Sequence, residues 1–137
     1  MSPELASSRS STSALKTLDI EMKALERLRD AMSAPQLGGA IEATLQAIVA
    51  TPGRVIVTGI GKSGQIASKI AATMRSTGTS ALYLHPSEAS HGDLGIITDD
   101  DIVLAITWSG ETVELGDILH YCRHRGIKLI VATSRAD

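Results

Sequence analysis

Apolar residues recur at three- and four-residue steps along residues 13–33, at Leu15, Leu18, Met22, Leu25 and Met32. That spacing lines one face of an α-helix. Leu28 flanks the seam and Arg29 interrupts it. A second helical stretch follows Pro35, with Leu37, Ala40, Ile41, Thr44, Leu45 and Ile48 on one face, and Thr51, Pro52 and Gly53 end it. From residue 54 the pattern changes. Residues 54–58 (RVIVT), 80–84, 102–107 (IVLAIT) and 127–132 are short, nearly continuous apolar runs, as expected of strands buried on both faces. Helical spacing fills residues 63–76, with Ile66, Ile70, Ala71 and Met74 facing inward, and residues 111–125, with Val113, Leu115, Ile118, Leu119 and Cys122 apolar. Arg123, His124 and Arg125 suit the negative end of that last helix, and Gly126 suits a left-handed C-cap.

Strands alternating with helices predict a parallel sheet covered on both faces, a three-layer α/β fold. The expected strand order is flavodoxin-like, 2-1-3-4-5, which makes the first and third strands neighbours at a switch point. Residues 85–101 (HPSEASHGDLGIITDDD) lack a long helical pattern and predict a long loop with one helical turn over residues 88–91. Within it Asp99, Asp100 and Asp101 are expected in a solvated turn. Three segments result: a Ser-rich lead-in, residues 1–13, expected to be disordered; N-terminal helices, residues 14–52, packing on the domain and at an oligomer interface; and the sheet domain, residues 53–137.

Composition narrows the function. The 137 residues suit one domain able to bury its own core. There is no Phe, one Trp (Trp108) and two Tyr, too few stacking platforms for a single-strand nucleic-acid binder, and a net charge of -2 argues against a phosphate-tracking surface. Cys122 is the single cysteine, so an internal disulfide and a cysteine zinc cage are excluded, in keeping with a reducing, cytoplasmic compartment. No apolar run approaches the roughly 18 residues of a membrane span, and the N-terminus lacks the apolar core of a secretory signal.

Two turns carry candidate chemistry. Gly59, Ile60, Gly61, Lys62, Ser63 and Gly64 join the first strand to its helix, where glycines let backbone approach a phosphate and the helix start supplies N–H donors. The run matches the dinucleotide fingerprint, but Leu84 and His85 stand where that fold wants a ribose-binding acid. It fails as a P-loop because Ile56 stands where the leading glycine belongs. Beside the weakened dinucleotide reading stand a tight turn without ligand and a phosphomonoester site, the last with Ser63 as donor and Gly61 and Gly64 giving access. After the third strand come Thr107, Trp108, Ser109, Gly110, Glu111 and Thr112, a second hydroxyl-rich turn. Alone it is an ordinary helix start capped by Ser109. At a switch point, Ser63, Ser109 and Thr112 can converge on one phosphate with amides from two helix starts.

The stretches VTGIGKSG, HPSEASHGDLG and SGET closely resemble the sugar isomerase (SIS) domain of the D-arabinose 5-phosphate isomerase family, over about residue 14 to the end and most densely over residues 55–114. The resemblance implies interconversion of D-arabinose 5-phosphate and D-ribulose 5-phosphate, feeding Kdo and lipopolysaccharide synthesis, with a sugar phosphate as small-molecule partner, no redox cofactor and a dimeric or tetrameric assembly. Matched motif to motif, it places Lys62, His91 and Glu114 at catalytic positions, and Gly61, Ser63, Gly64, Ser109, Gly110 and Thr112 around the phosphate. Thr107 and Trp108 replace the family's usual Ser and Asn, and the indole would narrow the pocket. The family's fifth strand, later helices, further catalytic Glu and His, and CBS domains find no counterpart in the 137 residues, so the chain by itself is expected to be inactive and to leave its fourth strand as an edge.

Isomerisation moves a proton between C2 and C1 through an enediol and needs a base and a proton donor at the oxygens. Glu114 is expected to do acid–base work, Lys62 to polarise the carbonyl or steady the enediolate, and His91 to shuttle a proton. Each has a plainer reading: a surface Glu near a helix start, a solvated lysine, and an imidazole bracing its loop. His85, Glu88, His91 and Asp93 lack the regular spacing of a metal site. A sugar-phosphate sensor on the same scaffold stands as the alternative to an enzyme.

Overall fold

A computed structural model describes residues 3–135; Met1 and Ser2 of the expected lead-in, and Ala136 and Asp137, lie outside the described residues. The chain divides into two units, Met1–Ala43 and Thr44–Asp137. The first holds α1 (Pro3–Ser33) and the start of α2 (Pro35–Ala50). Helix begins at Pro3, so the lead-in expected to be disordered is helical from there. Proline has its φ preset for a first helical turn, where its missing N–H is no loss. Along α1 the seam residues Leu15, Leu18, Met22 and Leu25 are each more than half exposed.

The second unit is a four-stranded parallel sheet of β1 (Val55–Thr58), β2 (Ala81–Leu84), β3 (Ile102–Ile106) and β4 (Lys128–Ala132), in the order β2-β1-β3-β4. This is the expected flavodoxin-like α/β order over its first four places. Alternate side chains of a strand serve opposite faces. Ile56, Leu84 and Val103 pack with Ala89, Ile97, Ile118 and Cys122, under α4 (Pro86–Ser90) and α5 (Gly116–Arg125). Val55, Val57, Ala81 and Ile102 pack with Ala67 and Ala71 of α3 (Gly61–Ser76) and with Ala47 and Ile48 of α2. On α3 the buried residues are Gly64, Ala67 and Ala71, whereas Ile66, expected inward, is about half exposed. Small residues let α3 lie close to the sheet: a Cβ on Gly64 would meet the Gly59 carbonyl oxygen at 2.7 Å.

The N-terminal ends of β1 and β3 are fastened by Asp101. It is buried rather than part of a solvated turn, which corrects the sequence expectation. Its carboxylate accepts from the Arg54 amide (2.7 Å), the Thr98 amide (2.9 Å) and the Arg54 guanidinium (2.9 Å), which also donates to the Ile96 carbonyl (2.7 Å). Burial would raise the Asp101 pKa, but the Arg54 and Thr98 donors more than offset it and hold the carboxyl below its usual range. Asp99 pairs at the surface with Arg125. β4 has one strand neighbour among the described residues, and its Val131 is exposed.

Candidate functional site

β1 and β3 end side by side, with Thr58 paired in register to Ala105. Beyond β1 the chain turns through Gly59 and Ile60 into α3. A Cβ on Gly59 would meet the Ile106 carbonyl oxygen at 2.9 Å and the Ser63 backbone at 3.1 Å, so this turn lies against the end of β3. Gly61 opens α3 at φ +59°, in the left-handed region that favours glycine. The first turn of α3 has neither a capping side chain nor an acidic residue. Its positive end therefore stays open to an anion, with Ser63 half-buried and Lys62 exposed beside it. Tyr83 of β2 braces the turn by donating from its hydroxyl to the Gly59 carbonyl (3.0 Å), and burial pushes the phenol pKa up, which keeps it a donor. Sequence reasoning missed Tyr83, because a tyrosine in a strand looks like any half-buried aromatic.

The turn after β3 differs from expectation. The helix predicted from residue 111 begins at Gly116, preceded by a 3-10 turn over Val113–Leu115. Hydroxyls have captured the backbone instead. Thr107 Oγ1 and Thr112 Oγ1 lie 2.6 Å apart, the Gly110 amide donates to Thr107 Oγ1 (3.3 Å), and the Glu111 amide donates to Ser109 Oγ (3.2 Å). Gly110 takes φ +77°, which breaks any helix through it. Ser109 thus closes a local turn rather than capping α5, and Glu114 sits in the 3-10 turn rather than one turn into a helix. The two turns therefore offer one α-helix start, that of α3, and one hydroxyl-lined turn, where two helix starts were expected. Thr107, which the sequence marks only as a departure from the family pattern, is the buried centre of the second turn.

His91 ends α4 and sits exposed. Its Nδ1 lies 2.7 Å from the Ser87 carbonyl, which can only accept, so Nδ1 carries a proton and, in the neutral imidazole, Nε2 is the nitrogen left to accept one. His85 has the opposite tautomer: its Nδ1 accepts from the Ser87 amide (3.2 Å) and caps α4. The helix runs over Pro86–Ser90, earlier than the turn expected at residues 88–91, because His85 and Pro86 supply a cap and a first-turn proline. α4 packs against the 3-10 turn that carries Glu114. Lys62, His91 and Glu114 therefore stand on three separate elements, exposed, with no hydrogen bond joining them to one another among the described residues. Among the described residues no three His, Cys, Asp or Glu side chains are grouped to hold a metal ion.

A cavity of about 220 Å³ lies at the other end of the sheet, beside Thr51, Pro52, Asp99, Asp100, Asp101 and Lys128. Its three aspartates outnumber Lys128, and Asp99 and Asp101 already hold Arg125 and Arg54, so the C-terminal strand ends are the better candidate for binding an anion.

The SIS domain family model matches residues 48–137. The chain belongs to the SIS domain family. The chain is 42% identical over 125 residues to the arabinose 5-phosphate isomerase KdsD of Pseudomonas aeruginosa, covering 91% of the chain and 37% of that protein. It is 51% identical over 92 residues to KdsD of Yersinia pestis, covering 67% of the chain and 28% of that protein. The chain thus spans about a third of the length of these curated relatives. Among solved structures it resembles an Escherichia coli CFT073 protein in complex with arabinose 5-phosphate, with a TM-score of 0.77 and 34% identity over 90% of the chain and 65% of the other. No helix among the described residues is long and apolar enough to cross a membrane.

Proposed function

We propose that the chain is the phosphate-binding part of a cytoplasmic aldose–ketose isomerase that interconverts D-arabinose 5-phosphate and D-ribulose 5-phosphate, the supply step for the lipopolysaccharide sugar Kdo. The observation that carries the reading is the uncapped start of α3 lying against the end of β3, next to the hydroxyl turn of Thr107, Ser109 and Thr112. A phosphomonoester fits there: Ser63, Ser109, Thr112 and the first amides of α3 from Gly61 are its partners, while Gly64 and Gly110, whose own amides donate to the Ile60 carbonyl and to Thr107 Oγ1, shape the two turns around it. The names of the relatives and the arabinose 5-phosphate complex of the structural neighbour support the substrate class.

In this mechanism a base removes the C2 proton of the open-chain aldose while the C1 carbonyl oxygen gains a proton, giving the enediol. Reprotonation at C1 and loss of the O2 proton then leave the C2 ketone. Glu114 moves the carbon-bound proton, Lys62 steadies negative charge on the oxygens, and the Nε2 lone pair of His91 accepts an oxygen proton. The exposed α1 seam joins copies of the chain into a dimer or tetramer.

Amide NMR during titration with D-arabinose 5-phosphate tests the site: residues 59–64 and 107–112 shift together. Shifts in one turn alone, or in neither, refute a shared seat. Grafting the chain in place of the matching segment of the Pseudomonas aeruginosa isomerase tests the activity. Binding without turnover in that chimera turns the reading into a sugar-phosphate sensor.

A further inference from the structure

The turn after β3 joins two chemistries. Ser109 and Thr112 offer hydroxyls, while the flanking Trp108 and Val113 are 81% and 87% exposed. The exposure of Trp108 does not come from slack backbone. Its carbonyl accepts from Ser134 Oγ (2.6 Å), the Ser134 amide (3.2 Å) and Thr133 Oγ1 (3.4 Å), and the preceding Thr107 amide donates to the Ala132 carbonyl (3.0 Å). A fixed backbone thus presents an uncovered indole directly beside the hydroxyl turn.

A sugar phosphate is two-faced in the same way. Its phosphate wants N–H and O–H donors, and the C–H bonds of its carbon skeleton suit the electron-rich face of an aromatic ring. Ligand sites commonly pair an aromatic wall with a few placed polar groups. We propose that Trp108 is the sugar-contacting wall of the site, stacking on the C–H face of a sugar phosphate whose phosphate is held by the two turns, and so setting preference for sugar phosphates over phosphate alone. The proposal rests on the sugar-phosphate reading above and adds the residue that recognises the carbon skeleton.

Trp108 is the only tryptophan, so tryptophan emission of the intact chain reports on this residue alone. D-arabinose 5-phosphate is expected to shift that emission, and inorganic phosphate to leave it nearly unchanged. Calorimetry on Trp108→Ala is expected to show arabinose 5-phosphate binding weakened about tenfold, with phosphate binding held within about twofold. Trp108→Phe restores most of the loss. An unchanged ratio of sugar-phosphate to phosphate affinity in Trp108→Ala overturns the proposal. So does an emission shift that follows protein concentration instead of ligand, since a second copy then covers the indole. If neither ligand binds the unmodified chain, the sugar-phosphate reading itself falls, an outcome distinct from intact binding that ignores Trp108.

Discussion

Replacing Asp101 by Ala removes the acceptor at which two strands and the long loop are tied. Its carboxylate takes the Arg54 and Thr98 amides and the Arg54 guanidinium, and its side chain is 1% exposed. Removing one partner of a buried ion pair costs about 3–5 kcal/mol. Arg54 is 37% exposed and can rehydrate, which argues for the low end, about 3 kcal/mol. Against a total stability of about 5–15 kcal/mol that is a large fraction. Asp101→Asn keeps an acceptor oxygen but loses the charge, so about 2 kcal/mol is expected. Urea unfolding at neutral pH measures both. The pH dependence gives an independent check. The folded carboxyl lies below its unfolded value of about 3.9, so its contribution is fully present above that value and disappears as pH falls through the folded pKa. The gap between the unmodified chain and Asp101→Ala should therefore hold from pH 7 to about 4 and narrow below it. A loss under about 0.5 kcal/mol at neutral pH would show that the cluster does not hold the sheet together.

Three further outcomes are expected. Thr58 Oγ1 is buried without a hydrogen-bond partner among the described residues, so Thr58→Val should stabilise the chain by about 1 kcal/mol in the same unfolding assay; a destabilisation would mean the hydroxyl is used. In the chimera, Glu114→Gln should lower isomerase turnover by about 10²–10⁴ while arabinose 5-phosphate affinity stays within a few-fold, and near-normal turnover removes Glu114 from the mechanism. Leu18→Glu with Leu25→Glu should shift sedimentation toward monomer, whereas an unmodified chain that is monomeric at high concentration ends the α1 assembly idea.

The strand order was legible because four short apolar runs alternate with helical spacing, and the topology of such sheets is narrow. The Gly59 to Gly64 turn was legible because its glycines are required by geometry: Gly59 and Gly64 by close backbone approach, Gly61 by its φ. Less legible were places where a side chain overrides a periodicity. Residues 111–115 look helical by spacing, but Thr107, Ser109 and Thr112 give the backbone other partners and delay α5. Ile66 looks inward because apolar spacing does not say which of two adjacent rows touches the sheet, and the smaller row of Gly64, Ala67 and Ala71 fits closer. Burial of Asp101 had no local signal, since its partner Arg54 is far along the chain.

Cys122 lies wholly buried where α5 covers the sheet, and desolvation pushes its thiol up to about 11. At neutral pH the folded thiol is therefore ionised far less often than in an unfolded chain, where a thiol pKa of about 8.5 leaves a few per cent as thiolate. Alkylation must therefore wait for α5 to lift. With a single cysteine in the chain, the rate of labelling becomes a clock for that opening, read without any engineered probe. A ligand that binds only the closed form should slow the clock in proportion to its occupancy.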